Sequence, residues 1–347
     1  MTARLTIALD AMGGDDAPQV VIKGANLACK RFPNVDYLLF GDERRLMPLL
    51  GKASKLAARS SIRHTEETVP NDMKPSVALR QGRQSSMRLA IDAVREGHAA
   101  GVVSAGNTGA LMAMAKISLK MLAGIDRPAI ASFFPTMRGE SVMLDLGANV
   151  ECDANNLVQF AAMGDVFART VLGSVQPSIG ILNVGSEEMK GHDEVRAAAG
   201  LLRASPLSSQ FHGFVEGDDI PAGTVDVVVT DGFTGNVALK TAEGTAKLYA
   251  EFLRGAFRSS WLARIGYLLA KQALHKVRSR TDPRRYNGAI LLGLNGIVVK
   301  SHGGTDPVGF ANAIGVAVDM AANGFNEKIR VELERLAPNP RAAAAAV

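Results

Sequence analysis

The chain has 347 residues, of which 47% are hydrophobic and 21% are charged, and its formal net charge is +5. These values exclude a disordered, collagen-like or mucin-like chain, because apolar residues are plentiful and the charged fraction is ordinary for a folded protein. The two cysteines, Cys29 and Cys152, are too few for a disulfide scaffold or a four-ligand zinc site, which favours a reducing, intracellular environment.

The hydrophobic pattern indicates neither export nor a membrane span. Only five mostly apolar residues precede Asp10, which is shorter than the core of a signal peptide. No uncharged apolar run reaches the roughly 18 residues that a spanning helix needs. We therefore expect a cytoplasmic protein whose contact with a membrane would be peripheral.

Short β-branched or apolar runs alternate with longer segments of helical periodicity, which is typical of an α/β protein with a mostly parallel sheet. Most strand-like runs end in Gly, Asp, Asn or Ser, and ligands of such proteins bind at these ends. The predicted strands cover residues 5–9, 37–40, 101–104, 130–134, 142–146, 179–184, 225–230 and 297–300. The predicted helices cover residues 84–97, 107–121, 154–172, 190–203, 236–258 and 306–322.

No linker interrupts this alternation, so we predict a single α/β domain over residues 1–337. A basic helical segment at about residues 240–285 belongs to it. The alanine-rich residues 338–347 are predicted to form a disordered tail.

Two loops that follow predicted strands share a sequence pattern. Residues 102–109 and 228–235 both have the form Val-Val-[Ser/Thr]-x-Gly-x-Thr-Gly, and each opens a predicted helix. Tight turns alone would explain the glycines of either loop. The repetition favours an anion site, because glycines let a ligand approach the backbone and the first amides of a helix are unpaired. We therefore expect both loops to face one crevice.

The kind of anion is narrowed by motifs that the sequence lacks. No two glycines lie two residues apart, so the dinucleotide motif Gly-x-Gly-x-x-Gly cannot occur, and no Gly-Lys-[Ser/Thr] completes a P-loop. The motifs Gly-x-Ser-x-Gly, His-Glu-x-x-His and Cys-x-x-Cys are also absent. A small phosphate remains as the predicted ligand. The predicted phosphate-binding residues are Ser104, Gly106, Asn107, Thr108, Gly109, Asp231, Gly232, Thr234 and Gly235.

Three residues are candidates for catalysis. Lys190 starts a predicted helix, where the helix dipole disfavours a cation, and this indicates a compensating anion. Asn236 adds an amide to the second loop. Of the six histidines, only His302 follows a predicted strand, which makes it the candidate general acid, with a buried structural role as the alternative.

Two other polar segments receive no assignment. Asp10, Asp15 and Asp16 lie in a glycine-rich turn, whose composition turn geometry explains at least as well as metal binding, so no metal site is predicted. Cys152 is flanked by two carboxylates, which oppose formation of a thiolate. A covalent thiol mechanism is therefore not expected.

The positive charge is concentrated between residues 254 and 285, where nine lysines and arginines accompany one aspartate. Apolar residues recur at every fourth position from Tyr249 to Leu269, and two serines before the only tryptophan suggest a helix break. We predict a helical hairpin on an anionic membrane surface; the alternatives are an acidic carrier protein, a dimer contact or ordinary core. The predicted contact residues are Arg254, Arg258, Trp261, Leu262 and Arg264.

Taken in order, six motifs resemble those of the phosphate acyltransferase family, PlsX, and they extend over nearly the whole chain. The motifs are DAMGGD at 10–15, SAGNTGA at 104–110, LDLGAN at 144–149, NVGSEEMKG at 183–191, DGFTGN at 231–236 and SHG at 301–303.

The resemblance implies formation of acyl phosphate from acyl carrier protein thioesters and inorganic phosphate, for phospholipid synthesis. It implies a three-layer α/β/α sandwich related to phosphotransacetylases and to isocitrate and isopropylmalate dehydrogenases. It also implies a homodimer and no required metal, nucleotide or other cofactor. The implied partners are acyl carrier protein and a membrane glycerol-phosphate acyltransferase at the inner face of the cell membrane, with no nucleic acid.

On this basis a phosphate oxygen is expected to attack the thioester carbonyl directly, without an acyl-enzyme. Lys190 and both loops would hold phosphate, and Asn236 or Asn107 would donate to the oxyanion. His302 would protonate the leaving thiolate. The nearest alternative is a short-chain phosphotransacetylase that uses coenzyme A. A dehydrogenase would need a metal and an arginine-rich carboxylate site, and a membrane adaptor would leave the polar strand ends unexplained.

Overall fold

The computed structural model describes residues 4–280 and 282–336. In these residues eleven strands form one sheet, with the order β3-β2-β1-β4-β11-β10-β5-β6-β9-β7-β8. Helices alternate with the strands, so the predicted α/β class is confirmed. The strands are β1 Leu5–Asp10, β2 Val35–Gly41, β3 Ser60–His64, β4 Gly101–Ser104, β5 Ala129–Thr136, β6 Gly139–Leu144, β7 Ile179–Leu182, β8 Phe211–Val215, β9 Val227–Val229, β10 Ala289–Leu292 and β11 Ile297–Lys300.

The two halves of the sheet run in opposite directions. Strands β3, β2, β1, β4 and β11 are mutually parallel, and so are β6, β9, β7 and β8. Between these halves, β10 is antiparallel to both β11 and β5, and β5 is antiparallel to β6. Strands β1, β4 and β11 therefore finish at one end of the sheet, here called the upper end. Strands β6, β7 and β9 finish at the opposite end, here called the lower end.

Helices cover both faces of the sheet. Ile7 and Leu9 of β1 belong to the core on one face, and Ala8 belongs to the core on the other, as the alternation of a strand requires. The helices are α1 Gln19–Arg31, α2 Glu43–Leu50, α3 Ser54–Ala57, α4 Pro75–Gln81, α5 Ser86–Arg95, α6 Thr108–Leu119, α7 Ala154–Phe167, α8 Asp193–Arg203, α9 Asp219–Ala222, α10 Gly232–Arg258, α11 Trp261–Arg280, α12 Pro307–Ala322 and α13 Phe325–Leu336. Residues of α1, α7, α8, α12 and α13 fill the first core and residues of α4, α5 and α6 the second, which gives three layers.

Polar side chains fix where the helices near the strand ends begin. Asn107 caps α6 and Asp231 caps α10, each by accepting a hydrogen bond from a backbone N–H of the first turn. Asp153 and Asp306 cap α7 and α12 in the same way. The N-terminus of α6 therefore lies at the upper end of the sheet, and that of α10 lies at the lower end.

Three strands escape prediction from the sequence. Strands β3 and β8 are the two outermost strands, and they are only partly buried, so their sequences SSIRH and FHGFV lack a continuous apolar run. Strand β10, AILL, is short and enters the sheet antiparallel to its neighbours. The predicted helix at 190–203 begins only at Asp193, and the one at 154–172 continues beyond α7 as a π-helical segment, Ala168–Leu172.

Helices α10 and α11 form a hairpin with a break at Ser259 and Ser260, where the sequence predicts one. The rings of Phe257 and Tyr267 meet edge to face across it, with centroids 5.4 Å apart. Most other large apolar side chains of both helices are exposed, including Trp261 at 70%. The predicted tail at 338–347 lies outside the described residues.

No single helix of the described chain is both long enough and apolar enough to cross a membrane. Helices α12 and α13 meet the criteria of length and composition only as a pair, which is bent by 57°.

Candidate active site

The two similar loops lie at opposite ends of the sheet. Ser104, the last residue of β4, pairs with Lys300, and Lys300 pairs with Ala289, the first residue of β10. The last residue of β9, Val229, pairs with Leu144 at the lower end. Five strand spacings of about 4.8 Å also separate β4 from β9, or about 24 Å across the sheet. The prediction that both loops of one chain face one crevice is therefore wrong.

A buried carboxylate supports the loop at the upper end. Asp10 accepts hydrogen bonds from the Ser86 and Ser104 hydroxyls, each at 2.6 Å. Burial raises the pKa of Asp10, and these hydrogen bonds oppose the shift. A side chain at Gly13 would collide with the Asp10 carboxylate and with the Gly106 amide, so the loops after β1 and β4 pack directly on it.

Only part of the predicted phosphate loop at the upper end is available to a ligand. The Ser104 hydroxyl is buried against Asp10. Asn107 caps α6 through its oxygen, and its amide donates to the carbonyls of Asn71 at 2.8 Å and Met73 at 2.9 Å. Asn107 thus has no donor left for an oxyanion, contrary to the expectation. Thr108 is exposed, and within the described residues no hydrogen bond joins the amides of Thr108 and Gly109 to a partner.

The upper end also contains a half-buried lysine, Lys300, which was not among the predicted site residues. The Lys300 ammonium donates to the carbonyls of Ala105, at 3.4 Å, and Ser301. Burial lowers the pKa of Lys300 to about 8, although Asp10 and Asp15 favour its charged form. Lys300 directly follows the apolar run Ile-Val-Val at the end of β11. A polar residue at a strand end is the same signal that identified the other candidate residues.

His302 is exposed beside this group, as its predicted position after β11 requires. Its backbone N–H donates to Asn287 Oδ1 at 2.9 Å, and its Nδ1 accepts from the Gly304 amide at 3.2 Å. In the neutral ring the proton therefore resides on Nε2, which is free to face a substrate. The buried structural role that was the alternative does not apply.

At the lower end a second buried carboxylate, Asp145, supports the other loop. It accepts hydrogen bonds from the amides of Ile130 (2.9 Å), Gly147 (3.2 Å), Ala148 (3.0 Å) and Asn149 (2.7 Å). The Asn149 side chain adds a bond of 2.9 Å. Burial raises the pKa of Asp145, and the hydrogen bonds from the amides of Ala148, Ile130 and Asn149 and from the Asn149 side chain act in the opposite direction.

The loop that opens α10 packs on Asp145 and is largely satisfied by its own residues. The Asp231 carboxylate accepts from the Thr234 amide at 2.8 Å and the Thr234 hydroxyl at 2.7 Å. The Gly232 amide donates to the Asn149 carbonyl at 2.7 Å. Because Asp231 already places negative charge at this helix terminus, a phosphate there would meet repulsion.

Asn236 and Lys190, two of the predicted catalytic residues, lie at the lower end, whereas His302 lies at the upper end. Asn236 lies near Gly147, where an added Cβ would be 3.7 Å from Asn236 Cβ. Asn236 is partly exposed and makes no side-chain hydrogen bond within the described residues. Lys190 precedes the first turn of α8, so the helix-dipole argument for it was wrong. Its ammonium pairs with Glu187 at 2.8 Å, and this hydrogen bond raises the pKa of Lys190.

Exposed apolar side chains also lie at the lower end. They belong to the loops after β6 and β7 and to the first two turns of α10, and each is at least half exposed. A patch of this kind favours a ligand with a hydrocarbon portion. The patch consists of Val150, Val184, Met189, Phe233 and Val237.

Cys152 lies half-buried at the lower end. Burial, with the charges of Asp145 and Asp231, raises the pKa of its thiol to about 12, so the thiol is protonated near neutral pH. Among residues 4–280 and 282–336, no three or more His, Cys, Asp or Glu side chains are grouped so as to hold a metal ion.

Comparison with known proteins gives the family. Residues 5–328 match a family model described as "Fatty acid synthesis protein". The phosphate acyltransferase of Rhodospirillum centenum is 70% identical over 344 residues, covering 99% of this chain and 97% of that protein. The chain belongs to the phosphate acyltransferase family. The phosphate acyltransferase of Paramagnetospirillum magneticum is 63% identical over 338 residues, covering 97% of this chain and 96% of that protein.

The predicted family and enzyme class are therefore confirmed: the protein is an acyltransferase of lipid synthesis. Solved phosphotransacetylases share its fold. The enzyme from Streptococcus pyogenes has a TM-score of 0.62 at 17% identity, covering 93% of this chain and 95% of that one. The EutD enzyme from Staphylococcus aureus has a TM-score of 0.59 at 17% identity, covering 92% and 94%. The predicted relation to phosphotransacetylases is thus confirmed at the level of the fold.

Proposed function

We propose that this phosphate acyltransferase moves a fatty acyl group from acyl carrier protein to inorganic phosphate and so supplies acyl phosphate for phosphatidic acid synthesis. The observation that carries the proposal is the exposed apolar patch around Asn236 and Lys190 at the lower end. A two-carbon acyl group is too short to contact all five apolar side chains, whereas a fatty acyl chain could cover them.

The two ends of the sheet would take different parts of the reaction. The upper end suits phosphate, because α6 has a neutral cap and the amides of Thr108 and Gly109 lack partners in the described part of the chain. The lower end suits the thioester, because Asp231 repels an anion and the Asn236 amide is available to a carbonyl oxygen. Lys190 would add positive charge beside the carbonyl once a substrate displaces Glu187.

A homodimer would unite the two ends. Within one chain His302 and Thr108 cannot reach Asn236 and Lys190, because the sheet separates them. A two-fold axis can set the upper end of one copy against the lower end of the other, and it then creates two equal sites. In the proposed homodimer each active site would therefore contain residues of both chains.

In such a site a phosphate oxygen attacks the carbonyl carbon of the thioester and forms a new C–O bond. The carbonyl oxygen becomes an oxyanion that accepts a hydrogen bond from Asn236. The C–S bond then breaks, and the Nε2–H of neutral His302 donates a hydrogen bond to the departing thiolate of the carrier's pantetheine, which takes the proton that the attacking hydrogen phosphate gives up. The products are acyl phosphate and free acyl carrier protein.

The hairpin of α10 and α11 would hold this cytoplasmic enzyme against the inner face of the cell membrane. Trp261 and Leu262 are exposed at its tip, and Arg254, Arg258 and Arg264 lie within two turns of them. Basic side chains near an anionic leaflet contribute about 1 kcal/mol each. At the membrane, a glycerol-phosphate acyltransferase could then receive the acyl phosphate before water hydrolyses it.

The experiment that tests the function measures acyl phosphate formation from inorganic phosphate. Palmitoyl carrier protein, palmitoyl coenzyme A and acetyl coenzyme A are compared at equal concentration. We expect the carrier-protein thioester to give the highest kcat/KM. Preference for acetyl coenzyme A would instead identify a short-chain phosphotransacetylase.

A further inference from the structure

We propose that Asp10 and Asp145 are a pair of positioning residues, each of which holds one half of the active site in its working shape. The inference rests on the proposed function, since that function assigns phosphate to the loop above Asp10 and the thioester carbonyl to the loop above Asp145. Neither aspartate touches substrate: Asp10 is 1% exposed and Asp145 is fully buried.

The same construction occurs twice in the chain. Asp10 follows Leu9 at the end of β1, and Asp145 follows Leu144 at the end of β6. Strand β1 pairs in parallel with β4, and β6 pairs in parallel with β9. Each aspartate therefore lies beneath the loop that follows the neighbouring parallel strand, and these are the two loops with the shared sequence pattern.

Asp145 connects three segments at the lower end. Its carboxylate receives amides from the start of β5 and from the loop 147–149. A Cβ at Gly232 would lie 2.8 Å from its Oδ2, and a Cβ at Gly235 would collide with its backbone carbonyl. The first turn of α10 thus rests directly on Asp145, and Asn236 borders the held loop, because a Cβ added at Gly147 would lie 3.7 Å from Asn236 Cβ.

Asp10 performs the same task at the upper end. It joins the start of α5 to the end of β4 through the hydroxyls of Ser86 and Ser104. The Ser104 hydroxyl in turn accepts from the Gly106 amide at 3.1 Å. This chain of contacts fixes the backbone just before Thr108, whose hydroxyl and amide are proposed to hold phosphate.

A carboxylate is suited to this role because one group satisfies several converging donors. An asparagine has the same volume but only one side-chain oxygen. Its NH₂ group would replace the second carboxylate oxygen and would face the donors that this oxygen accepts from in the parent. Asp10→Asn and Asp145→Asn should therefore loosen their loops without opening a cavity.

The two substitutions should alter different kinetic constants. Loosening the phosphate loop should raise the phosphate KM of Asp10→Asn on the order of tenfold, with kcat little changed. Misplacing Asn236 should lower the kcat of Asp145→Asn on the order of tenfold, with the phosphate KM little changed. Partial unfolding lowers the active fraction and leaves KM alone, so it cannot produce the Asp10→Asn pattern. For Asp145→Asn the kcat is calculated per folded enzyme, which removes the contribution of unfolding.

The matched control is Asp165→Asn, which changes another buried aspartate whose hydrogen-bond partners belong to neither loop. Asp165 binds Arg169 and the Gln210 amide beneath α13. All variants are assayed with palmitoyl carrier protein and phosphate, at a temperature where circular dichroism shows full folding. Asp165→Asn should keep both constants of the parent once protein concentration is corrected.

If the aspartate variants do not fold, two milder variants test whether Asp10 and Asp145 position the two loops. Ser86→Ala removes one donor to Asp10, and Asn149→Ala removes one donor to Asp145. They should show the same division between KM and kcat at smaller amplitude. Parent-like constants in these variants, or equal changes in all variants including the control, would overturn the inference. Failure of the proposed function would appear differently, as a parent enzyme that makes no acyl phosphate from the carrier protein.

Discussion

The threonines of the two similar loops have different surroundings, and this difference is testable. The Thr234 hydroxyl is bonded to Asp231, whereas the Thr108 hydroxyl is exposed beside unpaired amides. Thr108→Val should raise the phosphate KM about tenfold, because a hydrogen bond to a charged group contributes about 1.5–3 kcal/mol. Thr234→Val should instead lower stability by about 1 kcal/mol. Equal phosphate titrations of parent and Thr108→Val would refute the assignment.

Direct transfer predicts that Cys152 is dispensable. With a pKa of about 12, its thiolate fraction at pH 7 is on the order of one part in 10⁵. Cys152→Ser should therefore retain the kcat of the parent, and mass spectrometry of the quenched enzyme should find no acyl adduct. Loss of activity in a folded Cys152→Ser enzyme would argue for a covalent intermediate.

Lys300 should make stability depend on pH in the alkaline range. Its pKa is about 8 when folded and close to 10.5 in the unfolded chain, so between these values the unfolded state binds more protons. The free energy of unfolding therefore rises with pH across this window. Denaturant titrations at pH 7 and pH 9 should show a gain in the parent that Lys300→Met lacks. The same pH dependence in both proteins would contradict the assigned pKa.

Sequence position alone could identify the strand-end residues but not their partners. Asn107 was a plausible oxyanion donor because it follows a strand, yet carbonyls from residues 70–73 occupy its amide. Asp10 carried no assigned role because turn chemistry explained it. Such partners lie more than 30 residues away in the chain, and only the packed structure brings them together.

At the scale of elements, the hairpin yields a prediction about membrane binding. Trp261→Glu/Leu262→Glu at the tip should abolish sedimentation with anionic liposomes, because it removes apolar contact and adds repulsion. Leu248→Glu/Tyr249→Glu, at exposed positions further from the tip, is the matched control and should still sediment.

The oligomeric state of both variants separates the alternatives for the hairpin. Equal sedimentation of the tip variant and the parent would exclude the membrane proposal. Loss of the dimer in the control variant would show that the middle of the hairpin is an interface. Retained sedimentation with lost carrier-protein binding would favour an acidic partner.

Burial made some elements predictable but not all: β10 and α1 are also largely buried and were not predicted. Strands β4 and β11 were predicted with their observed bounds, because both are short apolar runs between buried neighbours. The reversal of direction between β5 and β6 does not follow from periodicity but from the connection, because only Met137 and Arg138 join the two strands and a parallel pair would need a crossover of about a dozen residues. That reversal is what sends the two loops to opposite ends.

For the whole molecule, the shared site predicts complementation between inactive chains. Lys190→Met and His302→Gln homodimers should each be nearly inactive, because every site lacks one group. A mixed dimer should contain one intact site, with Lys190 from one chain and His302 from the other. Co-expressed chains with different tags should therefore be more active than the sum of the two variants. Activity no greater than that sum would show that the two residues do not share a site.

Helix α10 sets a distance between chemistry and membrane. Its 27 residues, Gly232–Arg258, measure about 40 Å, of which about 33 Å separate Asn236 from the hairpin tip. A fatty chain that reaches the middle of a bilayer is only about 15 Å long, half of the hydrocarbon thickness. If α10 stands upright on the membrane with only the hairpin tip touching it, an acyl phosphate still bound at the loop cannot yet touch lipid with its tail. In that orientation the acyl phosphate has to move through an aqueous gap longer than its own acyl chain. The exposed apolar side chains along α10 are the surface along which the acyl chain can move.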